Sequence, residues 1–382
     1  MKKICFINGT TVVGGGPLNL LQLLESLDKK EWEPVICTYD DGPYWNKFKN
    51  LTTKAYSIPL RKLSFSSWLK LRSILNKEKP DLIHTHGKGP GLYGRIAGWL
   101  FRIPVIHSFH GFHYYDLPPF KRRFHLLVEN ILALLTPHHI LSCRGERNKA
   151  RIIRLLKDRK TNIIHNGLRL TKFKELKPDK RKTLASLGLE SWENTMLVGS
   201  MSRISPEKGI LNLIHGFAHA LTTCSNLRLV IIGSCQEEHA QYLESIQTVV
   251  RELNLSGKIA ILGYRENAFE ILKIMDAYIT TSLSEGLPYN ILEAIALERP
   301  VIATDIPGNN DIIRDSIEGI LIPSNSIDGI RQGILKMFYM KEDRRNSLIR
   351  KASERLEKDF SLEKMTSSVF SLYKKALNSH SR

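Results

Sequence analysis

Short apolar runs alternate with amphipathic helical patterns along the chain, and each run closes in a loop rich in Gly, Pro or polar residues. KICFING (residues 3–9) is the first such run; TTVVGGG follows it, and then an amphipathic helix over about 17–27. EPVICTY (33–39), DLIHTH (81–86) and PVIHSFH (104–110) predict further buried strands, with helices over 66–77 and 91–101 between them. After NIIHNG (162–167) the chain turns polar, and the alternation restarts with TMLVGSMSR, LRLVIIGS, KIAILGY, AYITTS and PVIATD. Strands separated by helices must run parallel and be covered on both faces, so the pattern predicts an α/β chain of two doubly wound sheets in series.

Length agrees with two domains: 382 residues exceed what one core usually serves. Charge adds an asymmetry. Residues 1–200 hold 34 Lys and Arg against 16 Asp and Glu, whereas 201–382 hold 22 against 22, so the net +18 belongs to the first half. A basic half beside a neutral one points to a polyanion, an anionic membrane or a phosphorylated substrate on one side only. The five cysteines are scattered without a CxxC pair, which predicts a reduced, cytoplasmic protein with neither a disulfide framework nor a zinc site. The apolar run 4–7 is too short for a signal peptide, and no window reaches the roughly 20 apolar residues that span a bilayer.

Ligands of parallel sheets sit beyond the carboxyl ends of the strands, so the loops there are where chemistry is sought. The densest is SLSEGLPYNILEAIALERPVIATDIPG. Glu285 lies in a loop punctuated by Gly286 and Pro288, and a helical run beginning at Tyr289 carries Glu293 and a first turn of backbone amides able to attract phosphate. Carboxylates at two depths can each accept paired hydrogen bonds from vicinal hydroxyls, as on a sugar or a ribose; a helix cap with a solvated Glu is the other reading. In GSMSRISPEKG, Arg203 and Lys208 can set two cations on one pyrophosphate, or form a solvated rim. The glycines at 14–16 allow close backbone approach to a ligand, or make a flexible turn; they do not form GxGxxG. His84, His86, His107, His110 and His113 cluster at strand ends, yet no acidic ligand accompanies them and no DxD occurs, so a metal site is not expected.

Together these segments, with HTHG, HSFHG and HNG at 165–167, resemble the retaining GT-B glycosyltransferases of family 4, over nearly the whole length and in the right order. The resemblance implies two Rossmann-like domains facing a central cleft: an acceptor-side domain over 1–171, a linker over 172–192, a nucleotide-sugar domain over 193–360, and a C-terminal helix over 361–382 packing back on the first domain. Carried over residue by residue, Arg203 and Lys208 would hold the donor diphosphate and stabilise the leaving phosphate, Glu285 would contact the donor sugar, and Glu293 the ribose hydroxyls. Gly286, Leu287, Asn290 and Ile291 would approach the phosphates, His110 the donor sugar, Gly15 and Gly16 the diphosphate, and Tyr264 with Arg265 the base. Catalytic roles would then fall to His110, Arg203, Lys208 and Glu285, with no metal and no cofactor beyond the nucleotide-sugar co-substrate, here a UDP-sugar.

The acceptor is where the basic half matters. PPFKRRFHLLVENILALL sets Phe120, Phe124, Leu127, Ile131 and Leu134 on one helical stripe beside Lys121, Arg122, Arg123 and His125, and Arg144, Arg147, Lys149, Arg151, Arg154 and Lys157 follow in a second basic stretch. The stripe either lies on a membrane or packs on its own sheet. HSFHGFHYYD also resembles enzymes that extend polyprenyl-diphosphate-linked sugars. The expected activity is therefore transfer to a lipid-linked saccharide in surface polysaccharide or glycan assembly, by a protein peripheral to the inner face of the cell membrane. A GT-B sugar-nucleotide epimerase and a basic nucleic-acid-binding protein are the alternatives; the second leaves the ExxxxxxxE segment unexplained.

Overall fold

The computed structural model describes residues 1–111, 118–153, 155–156 and 160–380; His113, Arg154 and Lys157 lie outside them. The chain divides into two compact units, one formed by Met1–Gly167 with Leu362–Arg382 and the other by Leu168–Ser361.

The first unit is built on a seven-stranded sheet of β1 (Lys2–Asn8), β2 (Trp32–Thr38), β3 (Ala55–Ser57), β4 (Leu82–His86), β5 (Val105–Ser108), β6 (His138–Leu141) and β7 (Thr161–Ile163). Its order is β3-β2-β1-β4-β5-β6-β7, parallel throughout. The alternation within β1 explains the two layers. Ile4 and Phe6 face one core with Leu20, Leu23 and Tyr373, while Cys5 and Ile7 face another with Leu71, Leu75 and Tyr93. Tyr373 comes from the terminal helix Leu362–His380, whose Met365, Val369 and Leu372 fill the first of these cores. Strand order reverses between β1 and β4, where Asn8 pairs with His86 and His86 with Ser108. That register brings the loops after β1, β4 and β5 side by side at the carboxyl edge.

The second unit repeats the plan with β8 (Met196–Met201), β9 (Leu227–Ile232), β10 (Ile259–Ile261), β11 (Ala277–Thr280), β12 (Val301–Thr304) and β13 (Ile320–Ile322), in the order β10-β9-β8-β11-β12-β13. Here the reversal falls between β8 and β11, with Tyr278 opposite Gly199. The loops carrying Arg203 and Lys208, and Glu285, therefore emerge together. The polar stretch 172–192 sits inside this unit, where three of its apolar residues, Phe173, Leu184 and Trp192, are buried.

Strands β3, β6 and β13 are too short to stand out in the apolar pattern, and β6 opens with two histidines. The helix Pro119–Leu135 forms as its stripe predicts, but the side it buries carries Glu129 and Leu132. Its stripe does not pack on the sheet: Phe120, Phe124, Leu127, Ile131 and Leu134 are 53–84% exposed. Among the described residues no helix is long and apolar enough to cross a membrane.

Candidate functional site

In the second unit the loops after β8 and β11 make one polar constellation. The Lys208 ammonium donates to Glu285 Oε1 at 2.6 Å, with both side chains nearly buried. Two glycines make this approach possible. Gly209 has φ +63°, and a Cβ there would stand 2.4 Å from the carbonyl of Thr281, whose hydroxyl in turn donates to the Lys208 carbonyl. Gly308 has φ +97°, and a Cβ would meet the Gly286 carbonyl at 1.8 Å, so the turn after β12 is laid directly on the Glu285–Gly286 loop. Only glycine fits both the space and the left-handed backbone. Arg203 is more open, with its guanidinium 3.5 Å from Glu207. The two cations therefore differ: Lys208 is held by a carboxylate, and Arg203 can reorient.

Glu293 sits on the inner side of the helix Tyr289–Ala296 and is buried. Burial raises its pKa to about 7, against a smaller opposing pull from Lys172. Between the two carboxylates stands Tyr278, fully buried on β11, whose phenol is pushed up by burial and then by the charges of Glu285 and Glu293. Tyr278 and the Asn290 amide both donate to the Met201 carbonyl, at 3.3 and 3.1 Å. Asn290 Oδ1 accepts from the Ile291 amide at 3.0 Å, so one first-turn N–H is already engaged. Leu287 is buried, and Tyr264 and Arg265 are exposed in the loop after β10.

In the first unit Gly15 and Gly16 open the helix Gly15–Glu25, and His110 Cδ2 lies 3.5 Å from where a Gly16 Cβ would be. The imidazole thus rests on the glycine turn. Its Nε2 meets His86 Nδ1 at 3.1 Å with the rings stacked, and His84 bridges the Tyr373 hydroxyl at 2.7 Å and Ser108 at 2.8 Å. Burial keeps these histidines neutral, lowering His110 to about 4 and His84 to about 3. His86 and His110 bond each other, whereas His84 is held by Tyr373 and Ser108. Among the described residues no group of His, Cys, Asp and Glu is arranged to hold a metal ion. A cavity of about 10 Å³, the size of one water, lies beneath His110 between Asn19, Ser108, Ser142 and Asn166.

Sequence reasoning missed two groups. Tyr278, the second residue of β11, reads as an ordinary strand aromatic, and nothing local to it signals otherwise. Glu146, lost within a basic stretch, is buried and accepts from Gly111 N at 2.7 Å, Ser142 N at 2.6 Å and Ser142 Oγ at 2.9 Å, and so clamps the turn that carries His110. Burial raises it to about 7, against those three hydrogen bonds.

The family model described as "Glycosyl transferases group 1" matches residues 182–355, and that described as "Glycosyltransferase Family 4" matches residues 13–172. The chain belongs to this family of glycosyltransferases. It is 28% identical over 350 residues, covering 88% of this chain and 87% of the relative, to the UDP-Gal:alpha-D-GlcNAc-diphosphoundecaprenol alpha-1,3-galactosyltransferase of Escherichia coli. It is 24% identical over 387 residues, covering 98% and 97%, to the capsular polysaccharide biosynthesis glycosyltransferase CapM of Staphylococcus aureus. The fold is that of Anabaena HepE crystallised with UDP and glucose, with a TM-score of 0.86 at 17% identity, over 98% of this chain and 100% of that one. The two parallel-sheet units are thus those of a GT-B glycosyltransferase.

Proposed function

We propose that the protein moves a sugar, with retention of configuration and without a metal, from a UDP-sugar to a lipid-linked saccharide in bacterial surface polysaccharide or glycan assembly. The observation that carries the reading is the Lys208–Glu285 pair, a preorganised cation and carboxylate at the switch point of the second sheet, with the more exposed Arg203 on the same loop as Lys208. The E. coli relative is named for a UDP-sugar and a diphosphoundecaprenol acceptor, CapM for capsule synthesis, and HepE binds UDP.

Chemically, the donor C1–O bond breaks and the sugar is taken by an acceptor oxygen. Negative charge grows on the departing diphosphate, where Lys208, Arg203 and the backbone around Gly286, Leu287 and Ile291 stabilise it most at the transition state. The acceptor proton passes to the leaving phosphate, so no separate base is needed. Glu285 orients the donor sugar hydroxyls while bound to Lys208, Glu293 holds the ribose end, Asn290 lies toward the phosphates, and Tyr264 with Arg265 meets the base. On the first unit His110, fixed by His86, attends the donor sugar; Gly15 and Gly16 attend the diphosphate, and Lys121, Arg122 and Arg123 serve the acceptor or membrane side, at the inner face of the cell membrane.

Calorimetric titration with nucleoside diphosphates and their sugars tests the donor half. UDP and one UDP-sugar are expected to bind, with affinity unchanged by EDTA. Absence of nucleotide binding, or binding that requires added Mg²⁺ or Mn²⁺, would count against it.

A further inference from the structure

The helix Pro119–Leu135 meets the first unit along a side that holds a buried ion pair, with Leu126 packed against the Phe109, Leu141, Ala150 and Leu155 core. Glu129 is buried against Arg95 of the neighbouring helix Lys88–Phe101, at 2.8 and 3.0 Å, and Leu132 is the other buried contact. The opposite side is a continuous row. Phe120, Phe124, Leu127, Ile131 and Leu134 recur every three or four residues and are 84, 59, 58, 53 and 68% exposed, a stripe roughly 20 Å long at 1.5 Å per residue. Both helices are crossovers between parallel strands, so they run in the same direction, and the Arg95–Glu129 pair joins them at matching positions ahead of their last turns. There Trp99 and Leu100 add two more exposed apolar side chains, 61 and 53% open. Scattered exposed leucines need no explanation, whereas seven large apolar residues on adjoining helices do.

Charge identifies what covers them. Lys121, Arg122 and Arg123 stand on the same helix as the row, Lys88 and Arg102 stand at the two ends of the neighbouring helix, and Arg95 is neutralised internally by Glu129. Among the described residues of 87–135, Glu129 is the sole carboxylate side chain, and it points inward. A second copy of the chain would bring an equally basic face with no counter-charge, and a nucleic acid would leave the aliphatic half of the row without a partner. An apolar row accompanied by bases and, among the described residues of 87–135, by no exposed acid suits the interface of an anionic bilayer, with side chains among the acyl chains and Lys and Arg at the phosphates.

We infer that the outer face of Pro119–Leu135, extended by Trp99 and Leu100, is the surface by which this protein lies on an anionic lipid bilayer. This deepens the reading above, since it supplies the route to a lipid-linked acceptor, and it rests on that reading for its purpose. It does not rest on it for its test.

The full chain is sedimented with vesicles of phosphatidylcholine containing 30% phosphatidylglycerol, and with phosphatidylcholine alone. Binding is expected to be at least tenfold stronger to the anionic vesicles and to fall in 0.5 M NaCl. Leu127→Ser with Ile131→Ser is expected to weaken it at least tenfold with unchanged near-UV circular dichroism, because both side chains are more than half exposed. Lys121→Gln with Arg123→Gln should weaken it on anionic vesicles alone. Equal binding of the serine variant and wild type, or no preference for anionic lipid, overturns the proposal. So does a wild-type dimer in sedimentation equilibrium that the serine variant dissociates. UDP binding by the serine variant separates the two claims: it stays at the wild-type level if only docking is lost, and its absence from wild type as well would be a failure of the glycosyltransfer reading.

Discussion

Lys208→Ala is expected to lower turnover by 10²–10³-fold, about what removing one preorganised charge donor from a developing anion costs. The ammonium is held 2.6 Å from Glu285 with little exposure, so it is already oriented when the donor arrives and no reorganisation is needed at the moment of bond breaking. The substitution also leaves Glu285 as a largely buried carboxylate without its cation, next to the raised Tyr278 phenol. Both effects fall on kcat more than on the KM for the donor, because Arg203 and the backbone still bind the ground-state diphosphate. Lys208→Arg is expected to restore little, since a planar fork cannot take the place of a point charge in this tight turn at Gly209. Glu285→Ala should abolish transfer with folding intact. Steady-state kinetics with far-UV circular dichroism decide it; a Lys208→Ala enzyme within threefold of wild type would remove the leaving-group role.

Acid is expected to unfold the first unit between about pH 6 and pH 4. Burial holds His84 and His139 at about 3 and His110 at about 4, and lowers His86 and His107 well below the ordinary value of 6.5. A histidine whose pKa is depressed in the folded state contributes stability above 6.5, and that stability drains away as pH falls toward the folded value. At pH 4.5, two pH units below 6.5, His84, His139 and His110 each forfeit about 3 kcal/mol, against a total stability of roughly 5–15 kcal/mol for a domain. Glu146 works in the opposite direction. Raised to about 7 from 4.5, it favours the folded state below 4.5 and loses that contribution as pH rises through 7, so acidification returns about 3 kcal/mol. One carboxyl offsets one histidine and leaves the balance strongly unfavourable. Four of the five tryptophans (Trp32, Trp45, Trp68 and Trp99) belong to this unit, so a Trp192→Phe variant lets fluorescence report it alone. Its emission should shift red with a midpoint near pH 5, and a native spectrum at pH 4 would contradict the buried neutral histidines.

The doubly wound plan was legible because both sheets write their strands as apolar runs closed by glycine, and because EGLPYNILEA and R-x4-K stand at strand ends where a parallel sheet exposes its loops. Other features depend on distant partners. His84 owes its fixed orientation to Tyr373, 289 positions away on the terminal helix, and nothing local to either residue announces the pair. Glu146 looks like one acid in a basic helix until the fold turns it toward Gly111. Periodicity alone left the stripe on Pro119–Leu135 open between burial and exposure, since an amphipathic helix shows the same spacing whichever side of it is solvated. The buried Arg95–Glu129 pair decides that orientation, and a polar pair is what a search for apolar core positions passes over.

Purified protein is incubated with a labelled UDP-sugar panel and a polyprenyl-diphosphate-linked saccharide, and the label is followed into the lipid phase. The prediction is one donor yielding a glycolipid extended by a single sugar, with the donor's anomeric configuration kept and EDTA without effect. No lipid-phase product and no donor hydrolysis with any nucleotide sugar would contradict it.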